Sequence, residues 1–249
     1  MSNVRFLHTM KFDAAAITSS SEVTGLPDDN AVHAFVARVW RTTGDAAEWI
    51  KFDMGSAKKI TMVAIFGHNL TSGATVTVEA NSSDSWTTPA YTGAITWNEL
   101  ALVKFLDQTH RWWRITFADA ANPDGYIEIG RICAGEYVEP AVNVTEEVIR
   151  TVADPSNAEE AEGRQGWYYE KPKYRVCQVK FTGIARAQQD QLETMFRAVG
   201  NTRPMVFALD PDNYPSDDTI YCHLTTPLAV ALGALAYGDV GLTFEEKVG

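Results

Sequence analysis

Histidines and carboxylates are the residues of this sequence that could carry acid–base, nucleophilic or metal chemistry. The five histidines form neither an HExxH motif nor a close pair of metal ligands; they are His8, His33, His68, His110 and His223. The sequence also lacks a GxSxG nucleophile motif, a P-loop and a GxGxxG turn. We therefore predict no enzymatic activity. A glycan-active enzyme without a recognisable motif is the alternative.

Adjacent carboxylates occur at Asp28-Asp29, Asp217-Asp218 and Glu245-Glu246. A glycosidase needs two carboxyl groups that face each other across a cleft, whereas neighbours on a strand point to opposite faces. Asp217-Asp218 lies in a turn rich in Pro and Asn, where solvated acids are usual. None of these pairs is predicted to be catalytic.

The composition narrows the choice of partners. The 249 residues are 45% hydrophobic, enough for one large domain or two ordinary ones. A formal net charge of -11 argues against nucleic-acid phosphates and anionic membrane surfaces as partners. The three cysteines are far apart and predict reduced, buried thiols. The N-terminus has no apolar signal-peptide core and the longest apolar run is too short for a bilayer, so we expect synthesis in the cytoplasm without membrane insertion.

Period-two alternation predicts that the first half of the chain is built of strands. Glu48–Met54 alternates, Gly55 and Ser56 break the pattern, and Ile60–Phe66 is apolar at nearly every position. This arrangement predicts an antiparallel hairpin whose second strand is covered on both faces. Further strands are predicted at Thr75–Ala80, Leu102–Phe105, Trp112–Phe117 and Tyr126–Cys133. The predicted core comprises Ile50, Phe52, Ile65, Val76, Val78, Trp113, Ile115 and Ile129.

The second half combines strands with one helix. An i, i+3, i+4, i+7 apolar stripe predicts a helix over Gln188–Val199, stopped by Gly200, with a polar face at Gln189, Asp190, Glu193 and Arg197. The acidic stretch Ala153–Gly163 predicts an exposed loop. Strands are predicted at Glu146–Val152, Tyr174–Phe181, Met205–Leu209, Thr219–Leu224 and Val240–Glu246. We expect a mainly β protein of two domains, 1–140 and 141–249, divided near Pro140.

The first half resembles a known family. "AEWIKFDMG", "ITMVAIFGHN", "RWWRITFADA" and "GYIEIGRICAGE" follow one another in an order that resembles the discoidin, or coagulation-factor type C, domains of the galactose-binding-like jelly-roll superfamily. The resemblance covers roughly residues 12–137. The matching positions are Ser19-Ser20, Trp40, Trp49, Asp53, Gly55, Trp113-Arg114 and Glu128-Ile129.

This resemblance implies a jelly-roll β-sandwich with framework and ligand-binding positions. Trp49 and Trp113 would pack the sandwich rather than touch a ligand, and Arg114 would pair with an inward carboxylate such as Asp53. The ligand loops would be Val23–Arg38 and Asn81–Trp97. Three aromatic residues in or beside the second loop, which could stack on the apolar face of a sugar, are Trp86, Tyr91 and Trp97. The same rings could instead pad the loops against the sandwich.

The resemblance also implies calcium near Leu26–Asn30, because related folds often bind it there. The side chains concerned are Asp28, Asp29 and Asn30. EF-hand spacing is absent, and no other cofactor is expected. The paired cysteines of many extracellular members are missing here, which argues against an extracellular, animal-type role.

The second half resembles a different family. "YRVCQVKFTGIARAQQDQLETMFRAVGNTRPMVFALDPDN" and the closing "YGDVGLTFEE" resemble bacteriophage distal-tail and minor-tail proteins over about residues 144–249. The closing pattern is read at Tyr237, Val240, Leu242 and Phe244-Glu245-Glu246. The resemblance implies a second β-sandwich, carrying one helix, that packs side by side into a ring around a tail axis.

Together the two resemblances imply a non-enzymatic structural component of a phage or phage-like tail tip. It would be made in the host cytoplasm and reside in the virion tail as a homo-oligomeric ring. Its partners would be the tail tube, hub and tape-measure proteins, and the jelly-roll domain could contact a host surface glycan. The alternative is a stand-alone carbohydrate-binding or adhesion protein of bacterial origin.

Overall fold

The computed structural model describes residues 3–144, 148–160, 162–234 and 237–248. Within them the protein is mainly β with one α-helix, as predicted. The strands are β1 (Arg5–Leu7), β2 (Ala16–Ser19), β3 (Trp40–Arg41), β4 (Glu48–His68), β5 (Thr75–Asn81), β6 (Tyr91–Ile95), β7 (Ala101–Ala118), β8 (Glu128–Gly135), β9 (Ile149–Ala153), β10 (Asn157–Glu160), β11 (Gly166–Tyr169), β12 (Tyr174–Ala185), β13 (Met205–Ala208), β14 (Thr219–Leu224), β15 (Val230–Ala234) and β16 (Tyr237–Glu246). The helix α1 is Arg186–Val199, and short 3-10 helices span Phe12–Ala14 and Asp28–Val32.

The chain divides into two compact units. The first comprises Met1–Glu139 with Met205–Tyr221, and the second comprises Pro140–Pro204 with Cys222–Gly249. The strand β13 belongs to the first unit because it pairs with β1, with Arg5 opposite Ala208. The units therefore differ from the predicted domains 1–140 and 141–249 at this segment. Independent folding of two domains stays a prediction.

One continuous strand, β4, contains both runs that were predicted to form a hairpin, so that prediction is wrong. β4 pairs antiparallel with β7, and the register shifts between Asp53 and Lys58 and again between Ile60 and Met62. Gly55 has a φ of +69°, which glycine adopts without steric cost. The glycine therefore marks an irregularity in the strand rather than a reversal of the chain. The predicted strands Leu102–Phe105 and Trp112–Phe117 likewise merge into β7.

The two halves of β4 contribute to one core. The first half pairs with β2 and the second half with β8, and side chains from both halves meet in the same cluster. All of the predicted core residues are buried: Ile50, Phe52, Ile65, Val76, Val78, Trp113, Ile115 and Ile129. This part of the prediction is confirmed.

A second apolar cluster covers the other face of β4 at its later half. Met62 and Phe66 contact Leu7 of β1, Val206 of β13 and Tyr221 of β14 there. Every residue from Ile60 to Phe66 is therefore buried or nearly so, which confirms the prediction of a strand covered on both faces.

In the second unit, β12 lies between β9 and β16, and β15 pairs with the other edge of β16. The described part of the predicted strand Glu146–Val152 lies in and beside β9, and residues 145–147 lie outside the described residues. The predicted loop Ala153–Gly163 instead contains β10, which pairs with β11 as a two-stranded ribbon.

The helix α1 begins two residues earlier than predicted and ends at Val199. Gly200 follows with a φ of +55°. Leu192 and Met195 are buried, as predicted from the stripe. The predicted polar face is wrong at Gln189, which is 3% exposed and donates its side-chain amide to the carbonyl of Ile184 at 2.9 Å. The residue type alone does not show whether a glutamine side chain is solvated or is buried with a backbone acceptor, as Gln189 is.

Candidate functional site

The chemistry-bearing side chains are spread through the fold instead of being gathered at one centre. Within the described residues, no group of three or more His, Cys, Asp or Glu side chains lies close enough to hold a metal ion. Burial lowers the pKa of His68, whose Nε2 is 3.0 Å from the carbonyl oxygen of Asn98 while its Nδ1 accepts the Leu70 amide at 3.2 Å. A neutral imidazole with both nitrogens in use positions the loop and is not poised for proton transfer.

The three predicted sugar-stacking residues lie on two sides of the same sheet. Trp97 packs against the core and donates its indole N–H to the carbonyl of Leu70 at 2.9 Å. Tyr91 also packs against the core, with its hydroxyl beside Gly93. Trp86 lies on the other side, where the Arg114 guanidinium is 4.6 Å from its ring centroid. Because all three rings are half-buried, the padding alternative accounts for Trp97 and Tyr91, and a binding role for the set stays a prediction.

Arg114 pairs with a carboxylate, as expected, but the carboxylate is that of Glu79 and not that of Asp53. Asp53 accepts two hydrogen bonds of 2.7 Å from Arg111, and these bonds lower the pKa of its carboxyl group. Arg114 instead donates to Glu79 at 2.6 Å. Arg114 lies opposite Lys51 in the β4–β7 register, two pairs away from Asp53, which places a different arginine beside the aspartate.

The two framework tryptophans occupy opposite faces. Trp113 is fully buried in the core, as expected. Trp49 alternates with the buried Ile50 and is half-buried on the outer face, with the Lys51 ammonium 4.9 Å from its ring centroid. Trp49 therefore lies outside the core, because the adjacent core position of Ile50 directs its side chain outward, and its framework role stays a prediction.

The turn predicted to bind calcium is the 3-10 helix Asp28–Val32. Asn30 donates its side-chain amide to the carbonyl of Val39 at 2.9 Å, and Glu22 accepts the backbone N–H of Asp28 at 3.0 Å. Burial raises the pKa of Asp28. Within the described residues, Asp28 and Asp29 do not belong to a group of three or more His, Cys, Asp or Glu side chains that could hold a metal ion. Calcium binding stays a prediction.

A feature that sequence reasoning missed is the firmly held loop around Phe35. Tyr221 donates its hydroxyl to the carbonyl of Ala34 at 3.1 Å, and burial raises the pKa of that hydroxyl. Arg131, only 2% exposed, donates to the carbonyl of Val32 and to Asp13. These bonds hold the backbone on the side of the loop that precedes Phe35.

On the other side of the loop, Val36 is buried between two glycines. A Cβ on Gly67 would lie 2.4 Å from Val36 Cγ1, and one on Gly130 would lie 2.3 Å from the Val36 carbonyl oxygen. Phe35, between these anchors, is 65% exposed.

His33 lies beside Phe35, with ring centroids 5.1 Å apart, and its Nε2 is 3.4 Å from Arg38. The loop therefore presents an aromatic ring flanked by polar groups on a fixed backbone. Phe35 lies within the predicted ligand loop Val23–Arg38, but a single Phe in a loop shows no sequence periodicity that would have singled it out.

The second missed feature is the ribbon of β10 and β11. Every described residue from 157 to 173 is exposed. Trp167, Tyr168 and Tyr169 are 62%, 79% and 67% exposed. Trp167 lies opposite Glu159 and Tyr168 opposite Ala158, so the aromatic rings alternate between the two faces of the ribbon. The sequence signal was the Trp-Tyr-Tyr cluster at the end of an otherwise acidic segment.

The solved structures that resemble this chain do so only distantly, at low sequence identity. No family model and no curated protein matches the chain. A fucose-binding module of Streptococcus pneumoniae aligns with 13% identity and a TM-score of 0.42, covering 51% of this chain and 95% of that one. The family 32 carbohydrate-binding module of C. perfringens NanJ, solved with galactose, aligns with 16% identity and a TM-score of 0.42, covering 54% and 99%. Fucose and galactose are named as ligands of those two modules and not of this chain.

A third structure, the family 32 module of AlyQ in complex with 4,5-unsaturated mannuronic acid, aligns with 24% identity and a TM-score of 0.38. It covers 48% of this chain and 92% of that one. Among the described helices, none is long and apolar enough to cross a membrane.

Proposed function

We propose that this chain is a non-enzymatic structural component of a bacteriophage or phage-like tail tip. Its second unit would assemble with copies of itself around the tail axis, and its first unit would contact a surface glycan. The observation that carries the assembly role is the exposed ribbon of β10 and β11 with its three aromatic side chains.

A two-stranded ribbon is only marginally stable in water unless it packs against something else. Here the ribbon has aromatic rings on both faces, and those rings stay more than half exposed within the chain. Trp and Tyr are enriched among the residues that carry binding energy at protein interfaces. A partner molecule that covers the rings would remove this apolar surface from water.

A second copy of the chain is the partner that we propose, with neighbouring tail proteins stacked on the resulting ring. One copy would offer its ribbon to a different surface of the next copy, and such head-to-tail contacts end when the rotation closes a ring. The tail-protein resemblance of the closing strand β16, which includes Tyr237 and Leu242, supports the same assembly.

Mass measurement by light scattering, with electron microscopy of the purified particles, tests this role. The full chain is expected to form closed rings, and Trp167→Ser combined with Tyr168→Ser is expected to give monomers. Tyr214→Ser, which changes a 56% exposed aromatic in the first unit, is the matched control and should leave the rings intact. A strict monomer at high protein concentration, or rings that persist in the ribbon variant, would overturn the proposal.

A stand-alone carbohydrate-binding or adhesion protein is the second candidate, and the loop around Phe35 favours it. An exposed ring on a pre-anchored backbone loses little conformational entropy when a ligand binds. Glycan-array binding by a monomeric protein, lost in Phe35→Ala and retained in Tyr214→Ser, would support this candidate. Rings without glycan binding would count against it.

A further inference from the structure

We propose that a second surface of the first unit, the outer face of β4 and β7, binds an uncharged oligosaccharide. This indole face consists of Trp49, Lys51, Trp86, Arg111, Trp112 and Arg114. The inference rests on the proposed glycan contact of the first unit, but it concerns a surface different from the loop around Phe35.

Strand register places the indole rings in a row. Trp49 lies opposite Thr116, and four residues further along β4 Asp53 lies opposite Trp112. At the usual rise of a strand, this spacing separates the two indoles by about 13 Å. Arg114 occupies the position between them on β7 and lies against the ring of Trp86. The ring of Trp86 therefore lies against the arginine that separates the positions of Trp49 and Trp112 along the strands.

The charges of the indole face are already balanced. Lys51 contacts Asp84 at 2.9 Å, Arg111 contacts Asp53 at 2.7 Å, and Arg114 contacts Glu79 at 2.6 Å. An anionic polymer would have to break these pairs, since each cation already has a carboxylate partner. A protein partner would have to cover Lys51 and the three carboxylates as well, and Lys, Asp and Glu are depleted at the centres of protein interfaces.

Two indole N–H groups on this face have no acceptor within the part of the chain that the structure describes. Four other tryptophans donate theirs to protein oxygen atoms: Trp40, Trp86, Trp97 and Trp113. Among the described residues, no acceptor lies within hydrogen-bond distance of the indole N–H of Trp49 or Trp112, although both rings are half-buried. A tryptophan in such a place usually finds a partner.

The groups that the indole face offers match one class of ligand. A chain of uncharged sugars has hydroxyl oxygens to accept the two N–H bonds and apolar ring faces to lie on the indoles. The ion-paired side chains between the rings still offer hydrogen-bond donors and acceptors to sugar hydroxyl groups. Because their charges cancel, they favour neither an anionic nor a cationic ligand. We therefore assign the face to a neutral saccharide chain.

A glycan array containing neutral and acidic oligosaccharides, followed by calorimetric titration of the best binder, tests the inference on the full chain. The wild type is expected to prefer neutral glycans, with an affinity that changes little with salt. Trp112→Ala should weaken binding at least about tenfold, as expected for an aromatic residue at the centre of a contact. Trp112→Phe, which keeps a ring but loses the N–H donor, should weaken binding less than Trp112→Ala and should keep the thermal midpoint.

Two further variants separate the possible outcomes. Tyr214→Ala removes an exposed aromatic ring of the first unit and should leave glycan affinity unchanged. Glycan binding that is lost in Phe35→Ala but unaffected by Trp112→Ala would overturn this inference and leave the proposed glycan contact standing. Absence of binding to every glycan would overturn both. Preference for acidic glycans, or an effect of Trp112→Ala on self-association alone, would also overturn the inference.

Discussion

The carbonyl oxygen of Val36 lies so close to Gly130 that a side chain cannot fit between them: a Cβ built on the glycine would be 2.3 Å from that oxygen. The glycine belongs to β8, whereas Val36 follows the 3-10 helix that ends at Val32. This close approach fixes the position of the loop that carries Phe35, and it gives a glycine far away in sequence a role in the candidate site.

Gly130→Ala is expected to displace Val36 and to lower the free energy of unfolding by about 1–3 kcal/mol, the usual cost of overpacking. Urea unfolding followed by tryptophan fluorescence measures the change. Gly241→Ala is the matched control, because a Cβ there meets no atom within 4 Å. Equal midpoints for the two variants would contradict the prediction, because they would show that Val36 moves aside without lowering the free energy of unfolding.

Phe52→Ala is expected to destabilise the first unit by about 3–5 kcal/mol, the usual cost of removing a buried aromatic ring. The Phe52 ring stacks on Phe12 with centroids 4.0 Å apart, so the substitution leaves a cavity beside a second ring. Thr77→Ala, a change on the outer face of β5, should shift stability by no more than about 0.5 kcal/mol. The order of the two unfolding midpoints decides whether the strand faces are assigned correctly.

Stability should fall as the pH drops below about 6.5, partly because of His68. Burial lowers its folded-state pKa from the ordinary value of 6.5, so the unfolded chain takes up a proton that the folded chain does not. Protonation of the unfolded state favours unfolding, and the loss grows until the pH reaches the folded pKa.

Denaturant unfolding at pH 7.5, 6.5 and 5.5 measures this dependence. His68→Gln should flatten the curve, whereas Thr77→Ala, at a residue without an ionisable side chain, should leave its shape unchanged. Identical pH profiles for the wild type and His68→Gln would contradict the assignment.

Alternation and apolar content were sufficient to predict the core residues and the longer strands, but not short strands such as β1, β2, β3 and β6. The eight predicted core residues are buried because each is apolar and in phase with its neighbours along a strand. The same pattern could not distinguish one long strand from a hairpin at Gly55. A glycine with positive φ serves a turn and an irregular strand equally well, and the pairing partner, β7, lies far away in sequence.

The candidate surfaces were less predictable than the fold. Phe35 is exposed because Val36 and Ala34 are held by Gly130 and Tyr221, and both anchors come from distant parts of the chain. Arg111 and Arg114 are equally plausible partners for Asp53 in sequence, and only the register of β4 and β7 decides between them. These contacts join residues that are far apart in the sequence, so they depend on how the strands pair and not on the local amino-acid composition.

The fragment 1–140 is expected to be less stable than the first unit within the whole chain, because it lacks β13 and the start of β14. Those segments supply Val206 and Tyr221, which cover Leu7 and Phe66. Removing them would expose this apolar cluster to water and leave β1 without its partner strand. The isolated fragment should therefore bind a hydrophobic dye and unfold at a lower temperature.

Adding a synthetic peptide of residues 205–221 tests the cause, since it restores the missing surface. The peptide should raise the midpoint of the fragment and release the dye, because a ligand that binds only the folded state stabilises it. A peptide carrying Val206→Asp is the matched control and should do neither, because the change buries an unpaired charge. If the fragment alone unfolds at the same midpoint as the first unit of the intact chain, then 1–140 is a complete domain and Met205–Tyr221 is dispensable to it.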